Sequence, residues 1–77
     1  MMNVTVKFFA AARDVVGMNE QVIKLPIGSK TSAILRALVE EHPKLQEWES
    51  HLRMAVNWEY VSSEHVLHDK DVVELHI

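Results

Sequence analysis

The sequence has no cysteine. That excludes a disulfide framework and any thiolate-ligated metal site, and it fits a reducing cytoplasmic setting. Glycine and proline are scarce, two of each, so no low-complexity linker is present. There is no glycine-rich phosphate loop and no internal repeat. No apolar run approaches the roughly 18 residues that a membrane-spanning helix needs. The first residues lack the basic and long apolar stretches of a secretory leader. Basic residues are outnumbered: 8 Lys and Arg against 11 Asp and Glu leave a formal net charge of -3. Nucleic-acid affinity comes mainly from Lys and Arg on phosphates, so this balance argues against a nucleic-acid partner.

What is present is an ordinary globular composition, 48% apolar and 25% charged, over 77 residues. That length suits a single domain, 1–77. A domain this short buries only about 60% of its unfolded surface, so it has little stability to spare.

Two segments alternate with the period of a strand that is packed on one side. In Asn3 to Phe9, Val4, Val6 and Phe8 face one way and Thr5, Lys7 and Phe9 the other. In Val72 to Ile77, Val73, Leu75 and Ile77 share one face, with Val72, Glu74 and His76 on the other. Between them the pattern changes. Ala10 to Val16 favours a short helix, with Gly17 as its stop. Glu20 to Leu25 reads as a strand with Ile23 and Leu25 inward. Pro26 ends it, which suits a sheet edge because proline donates nothing to a ladder.

Thr31 is the expected N-cap of the main helix, Ala33 to His42, since its hydroxyl can accept from free backbone N–H groups. Ile34, Leu35, Leu38 and Val39 make one apolar stripe on that helix. Pro43 breaks it and can open a second short helix. There Leu45, Trp48 and Leu52 are spaced to cover the core. Met54 to Val61 reads as two short strands around a tight turn near Asn57–Trp58, where Asn tolerates positive φ. Lys70 stands where a glycine is expected in the turn before the last strand.

The order is therefore two strands, a crossover helix, then further strands. The first and last strands are the most apolar and should be central neighbours. A helix between them makes them parallel by a right-handed crossover. That is an α+β fold, the β-grasp or ubiquitin-like roll, with a mixed sheet of four to five strands.

Four stretches then resemble a known family in order and spacing: Val6 to Gly17, Leu25 to Thr31 leading into the helix, Met54 to Val61 with its Ala55-Val56-Asn57, and Leu67 to Val73. They are similar to the MoaD/ThiS family of ubiquitin-like sulfur carriers, most of all to the branch that serves molybdopterin synthase. The likeness covers nearly the whole chain. Two features depart from it. The family commonly has Asp-Gly-Asp where this chain has Asp69-Lys70-Asp71, and its members end in an extended Gly-Gly tail that does not occur in residues 1–77.

The resemblance implies a non-catalytic carrier subunit of a sulfurtransferase complex, molybdopterin synthase. The reactive group would be a C-terminal glycine carboxylate, expected after Ile77. An E1-like enzyme would adenylate it with ATP, and a sulfur donor would convert it to a thiocarboxylate. The large catalytic subunit of molybdopterin synthase would then receive the tail for molybdenum cofactor biosynthesis. A glycine pair, having no side chains, can thread a narrow channel. The carrier itself binds no cofactor on this reading. Two other functions share the fold: a sulfur carrier for thiamine or tRNA thiolation, and a β-grasp protein-binding module without sulfur chemistry.

Docking is the remaining task for residues 1–77. Phe9 is apolar but has the wrong parity for the core, and Tyr60 lies among polar neighbours beyond the turn. Positions matching Phe9, Tyr60 and the strand end at His76 and Ile77 form the partner-binding patch in the resembled subunit. The alternative is that Phe9 and Tyr60 merely close the rim of a small core. Trp48 reads as core cover, whereas Trp58, beside the turn, could be exposed and join the patch. His65, His68 and Asp69 lie close in sequence, but the segment is not helical and no fixed ligand face results. Glu40–Glu41 and Glu47/Glu49 read as solvated helix faces, and no serine has the surroundings of a nucleophile.

Overall fold

The computed structural model describes residues 1–77. It contains β1 (Met2–Phe8), α1 (Ala10–Val16), β2 (Glu20–Leu25), α2 (Thr31–Glu41), a 3-10 helix (Pro43–His51), β3 (Arg53–Val56), β4 (Glu59–Val61) and β5 (Val72–His76). The five strands form one sheet in the order β2-β1-β5-β3-β4. The last strand is thus the middle one. It runs parallel to β1, and β2, β3 and β4 join antiparallel to their neighbours. This is the expected β-grasp roll, with β2 at an edge as Pro26 implied.

The inner face of the sheet follows the alternation. Met2, Val4, Val6 and Phe8 from β1, Ile23 and Leu25 from β2, Val56 from β3, and Val73 and Leu75 from β5 are all buried. Helix α2 crosses them with Ile34 and Leu38 fully buried, while Leu35 and Val39 lie half-buried on its flanks. Leu45 and Leu67, from the segments after α2 and before β5, are buried in the same core. Gly17 terminates α1 in the left-handed region, φ 81, with its N–H donating to the Arg13 carbonyl. A residue with a Cβ pays steric strain in that conformation.

Three local expectations are corrected. Thr31 is not the N-cap. The helix already begins at Thr31, and its buried hydroxyl donates to the Ser62 carbonyl. The first amides of α2 are met instead by loop carbonyls, Thr31 N–H by His65 and Ser32 N–H by Ser63. A helix start satisfied in this way needs no side-chain cap. The segment after Pro43 is a 3-10 helix and does not take α geometry. With about three residues per turn, positions three apart eclipse one another. Leu45 takes the buried place on that edge and Trp48 is left 38% exposed, so Trp48 covers the core only in part.

Lys70 does occupy the left-handed turn position, φ 69. The turn is held by hydrogen bonds that do not depend on its side chain. Asn3 N–H donates to the Asp69 carboxylate, Lys70 N–H to the Asn3 carbonyl and His68 N–H to the Asp71 carboxylate. These bonds tie the start of β5 to the start of β1 and so fix the register of the two central strands.

Candidate docking site

The outer face of the sheet carries no helix. Register decides which side chains meet there. In the parallel pair, Lys7 lies opposite Glu74 and Phe8 opposite Leu75. Phe9 extends this ladder by one residue: its backbone is still extended, φ -118, and its N–H donates to the Leu75 carbonyl at 3.1 Å. The chain then swings away at Ala10, φ 47, into α1. The Phe9 side chain therefore stays on the outer face while Ala12 goes underneath into the core.

From the other side, Arg53 lies opposite His76, and Ala55 pairs with both Glu74 and Tyr60. Ala55 is small, and its place between β4 and β5 leaves room for Tyr60 to reach toward His76. The result is a short aromatic row. Phe9 stacks on His76 with ring centroids 4.8 Å apart and planes within 7°. Tyr60 meets His76 edge-on, with ring centroids 6.0 Å apart. Arg53 caps the row, its Cζ 5.9 Å from the Tyr60 ring centre. His76 Nε2 lies 3.1 Å from Glu74 Oε1, which fixes the plane of the imidazole. An aromatic pair of this kind is worth about 0.5–1.5 kcal/mol beyond its burial. An exposed cation over a ring adds about 0.5–1 kcal/mol.

Of the four sequence-selected residues, the structure brings Phe9, Tyr60 and His76 together. It does not bring Ile77 to them. Ile77 follows His76 in an alternating strand, so it points to the opposite face and packs half-buried against the core. Arg53 and Glu74 complete the row but had not been singled out. The alternation in Val72 to Ile77 already places Glu74 on the face of His76, but only the pairing of β3 with β5 brings Arg53 beside it.

The patch is open to solvent where it matters. Phe9 is 36% and Tyr60 65% exposed. Trp58, 89% exposed, stands at the tip of the β3–β4 turn at the far end of the same face. A groove of about 340 Å³, lined by Lys7, Phe9, Asn57, Trp58, Val72 and Glu74, runs between them. A second groove of about 350 Å³ lies between α2 and the β3–β4 hairpin and shares only Arg53 and Tyr60 with the patch. No three His, Asp or Glu side chains come close enough to hold a metal ion. No helix is long and apolar enough to cross a membrane. The arrangement offers a partly aromatic surface beside the end of the central strand.

Residues 6–75 match the sequence profile of the ThiS family. The molybdopterin synthase sulfur carrier subunit of Chlamydomonas reinhardtii is 34% identical over 76 residues, covering 96% of this chain and 92% of the relative. Among solved structures, a protein of Pyrococcus furiosus described as molybdopterin converting factor, subunit 1, superposes with a TM-score of 0.88 at 31% identity, covering 97% of this chain and 95% of that one. The complex of subunits 1 and 2 of the molybdopterin-converting factor from Helicobacter pylori contains a chain that matches with a TM-score of 0.68 at 28% identity, over 96% of this chain and 90% of that one.

Proposed function

The chain belongs to the ThiS family, and from that membership we propose that it is the sulfur-carrier subunit of a molybdopterin synthase. The observation that carries this reading is the similarity, over 91% and 96% of this chain, to relatives named as that subunit, at 33% and 34% identity. The chemistry then resides in a C-terminal glycine carboxylate beyond Ile77. Adenylation by an E1-like enzyme with ATP releases pyrophosphate and makes AMP the leaving group. A sulfide-level sulfur nucleophile from a donor attacks the acyl carbon, the acyl–phosphate bond breaks with AMP leaving, and the resulting thiocarboxylate is ready for transfer to the pterin precursor.

The fold serves this chemistry by position. β5 is the central strand, so its C-terminal end is anchored on both sides and aims whatever follows in a fixed direction. Phe9, Tyr60 and His76 lie beside that exit. They form the docking patch for the large catalytic subunit, while the tail reaches its active site. Stacking and the Glu74 hydrogen bond hold the rings of the row against one another, which lowers the side-chain entropy lost on docking. Ile77 contributes by holding the strand end against the core.

The test is intact-mass analysis of the native gene product, incubated with its activating enzyme, ATP and a sulfur donor. The expected result is a C-terminal glycine and a mass gain matching exchange of one oxygen for sulfur. A native product ending at Ile77, or one that gains no sulfur, would sink the carrier assignment. Copurification decides the pathway: a large molybdopterin synthase subunit is expected. Recovery of a thiazole synthase or a tRNA-thiolating enzyme in its place would move the protein to another sulfur route.

A further inference from the structure

Trp58 occupies a backbone position that disfavours it. The β3–β4 connection is a two-residue turn in which both residues have positive φ, 52 at Asn57 and 70 at Trp58. This turn type matches the twist of a hairpin and prefers Asn followed by Gly. The first preference is met. At the second a bulky aromatic stands where glycine is favoured, and strain results. The fold gains nothing in return, since the Trp58 side chain is 89% exposed. Backbone strain of this kind clusters at active sites, ligand clamps and switch regions.

The surroundings point the same way. The 340 Å³ groove joins Trp58 and Val72 at one end to Phe9 at the other, with Lys7 and Glu74 between. Val72 is itself an exposed aliphatic residue, 40% accessible. The outer face thus has two apolar ends and a charged middle. One end is the aromatic row at His76. The other lies four residues back along β5, roughly 13 Å away at about 3.3 Å per residue.

We propose that Trp58 and Val72 form a second anchor of the docking surface, which grips an apolar side chain of the same large subunit that meets Phe9, Tyr60 and His76. The partner segment it fits presents two apolar groups roughly 13 Å apart, with polar groups between them to meet Lys7 and Glu74. Tryptophan suits such a role, because it is enriched among the few residues that dominate binding energy. The groove is continuous with the aromatic row, and this commits both ends to one partner. The inference rests on the docking reading given above.

Trp58→Gly is the decisive variant. It removes the anchor and places at φ 70 the residue that the turn prefers, so the fold is preserved and the melting temperature stays level or rises. Binding of the native chain to the large molybdopterin synthase subunit of the same organism is measured by calorimetry for wild type, Trp58→Gly and Phe9→Lys. The expected result is a Kd at least fivefold weaker for Trp58→Gly, with no loss of thermal stability. A change smaller than fivefold, while Phe9→Lys abolishes binding, overturns the second anchor and leaves the docking patch standing. Wild-type affinity in Phe9→Lys overturns the docking reading and this inference together. Concentration-dependent self-association that Trp58→Gly removes would make a second copy of the chain the occupant, and would also overturn the proposal.

Discussion

Replacing Phe9 by lysine separates the fold from the docking function. The backbone at Phe9 is extended, a conformation open to any L-residue, and its N–H bond to Leu75 does not involve the side chain. The cost to the fold comes from lost packing. Phe9 is 36% exposed, so close to two thirds of its surface is covered. Full burial of a phenylalanine is worth about 1.5–3 kcal/mol, which puts the covered part at about 1–2 kcal/mol. Loss of the stack on His76 adds about 0.5–1.5 kcal/mol. The methylene stem of lysine can lie along the same surface and recover part of this. A net loss near 2 kcal/mol compares with a total of about 4–12 kcal/mol for a 77-residue domain at 0.05–0.15 kcal/mol per residue. The variant should stay folded, with a melting temperature lower by on the order of 10 °C. Binding should suffer far more. Truncating a central aromatic anchor costs about 2 kcal/mol or more, roughly 30-fold in affinity, and an ammonium buried without a partner adds to that. Calorimetric titration with the large synthase subunit should therefore show no measurable binding. Ile27→Lys is the matched control, since Ile27 is 75% exposed in the turn after β2, away from the patch. An isotherm for Phe9→Lys that matches wild type would refute the patch.

Other substitutions probe the frame that positions this surface. Leu75→Ala removes a fully buried side chain from the central strand and should cost about 2–5 kcal/mol; a urea midpoint lower by less than 1 kcal/mol equivalent would contradict the central role given to β5. Lys70→Gly relieves a left-handed conformation worth about 1–2 kcal/mol, against about 0.4–1 kcal/mol of added unfolded-chain entropy. The variant should be equal or slightly more stable at unchanged urea m-value, and clear destabilisation would show that the Lys70 side chain itself holds the turn. Lys30 Nζ lies 2.7 Å from Glu64 Oε2, and this hydrogen bond, together with the lysine charge, holds the Glu64 carboxyl below its ordinary value. Because the folded pKa is depressed, the pair's small stabilisation is present above the unfolded pKa and is lost as pH falls through the folded one. Lys30→Met should raise the Glu64 titration midpoint seen by NMR, and the stabilities of variant and wild type should converge in acid; an unmoved midpoint would count against the pair.

Most of the architecture was legible in the residues themselves. The alternation in Asn3–Phe9 and Val72–Ile77 marks strands buried on one face, Gly17 stops the short helix, and Asn57–Trp58 makes the hairpin turn. Those signals are local, with periods of two or 3.6 residues that any short window reveals. Element order then forces the parallel pairing of the outermost strands in sequence, because a helix must cross between them. The family resemblance follows from the same ordered stretches.

Side-chain partnership across the sheet was decided only by the tertiary structure. Phe9, His76, Tyr60 and Arg53 come from four different parts of the chain. Their meeting depends on three registers, β1 with β5, β5 with β3 and β3 with β4, which the turns and the backbone ladder set. The sign of a face is local, so Phe9 and Tyr60 could be read as outward. Glu74 shares the face of His76 by the same local alternation, whereas a neighbour across strands is not local, so Arg53 stayed hidden. The family resemblance assigns Ile77 to the patch, although the alternation of its own strand already turns it inward, and the structure packs it against the core. Thr31 gave up its expected capping role for a non-local reason: carbonyls from the loop at Ser62–His65 reached the helix start first. A sequence states which side chains a strand will turn inward or outward. Which of the outward ones touch depends on how hydrogen-bonded strands from distant segments align, and that alignment exists only in the folded chain.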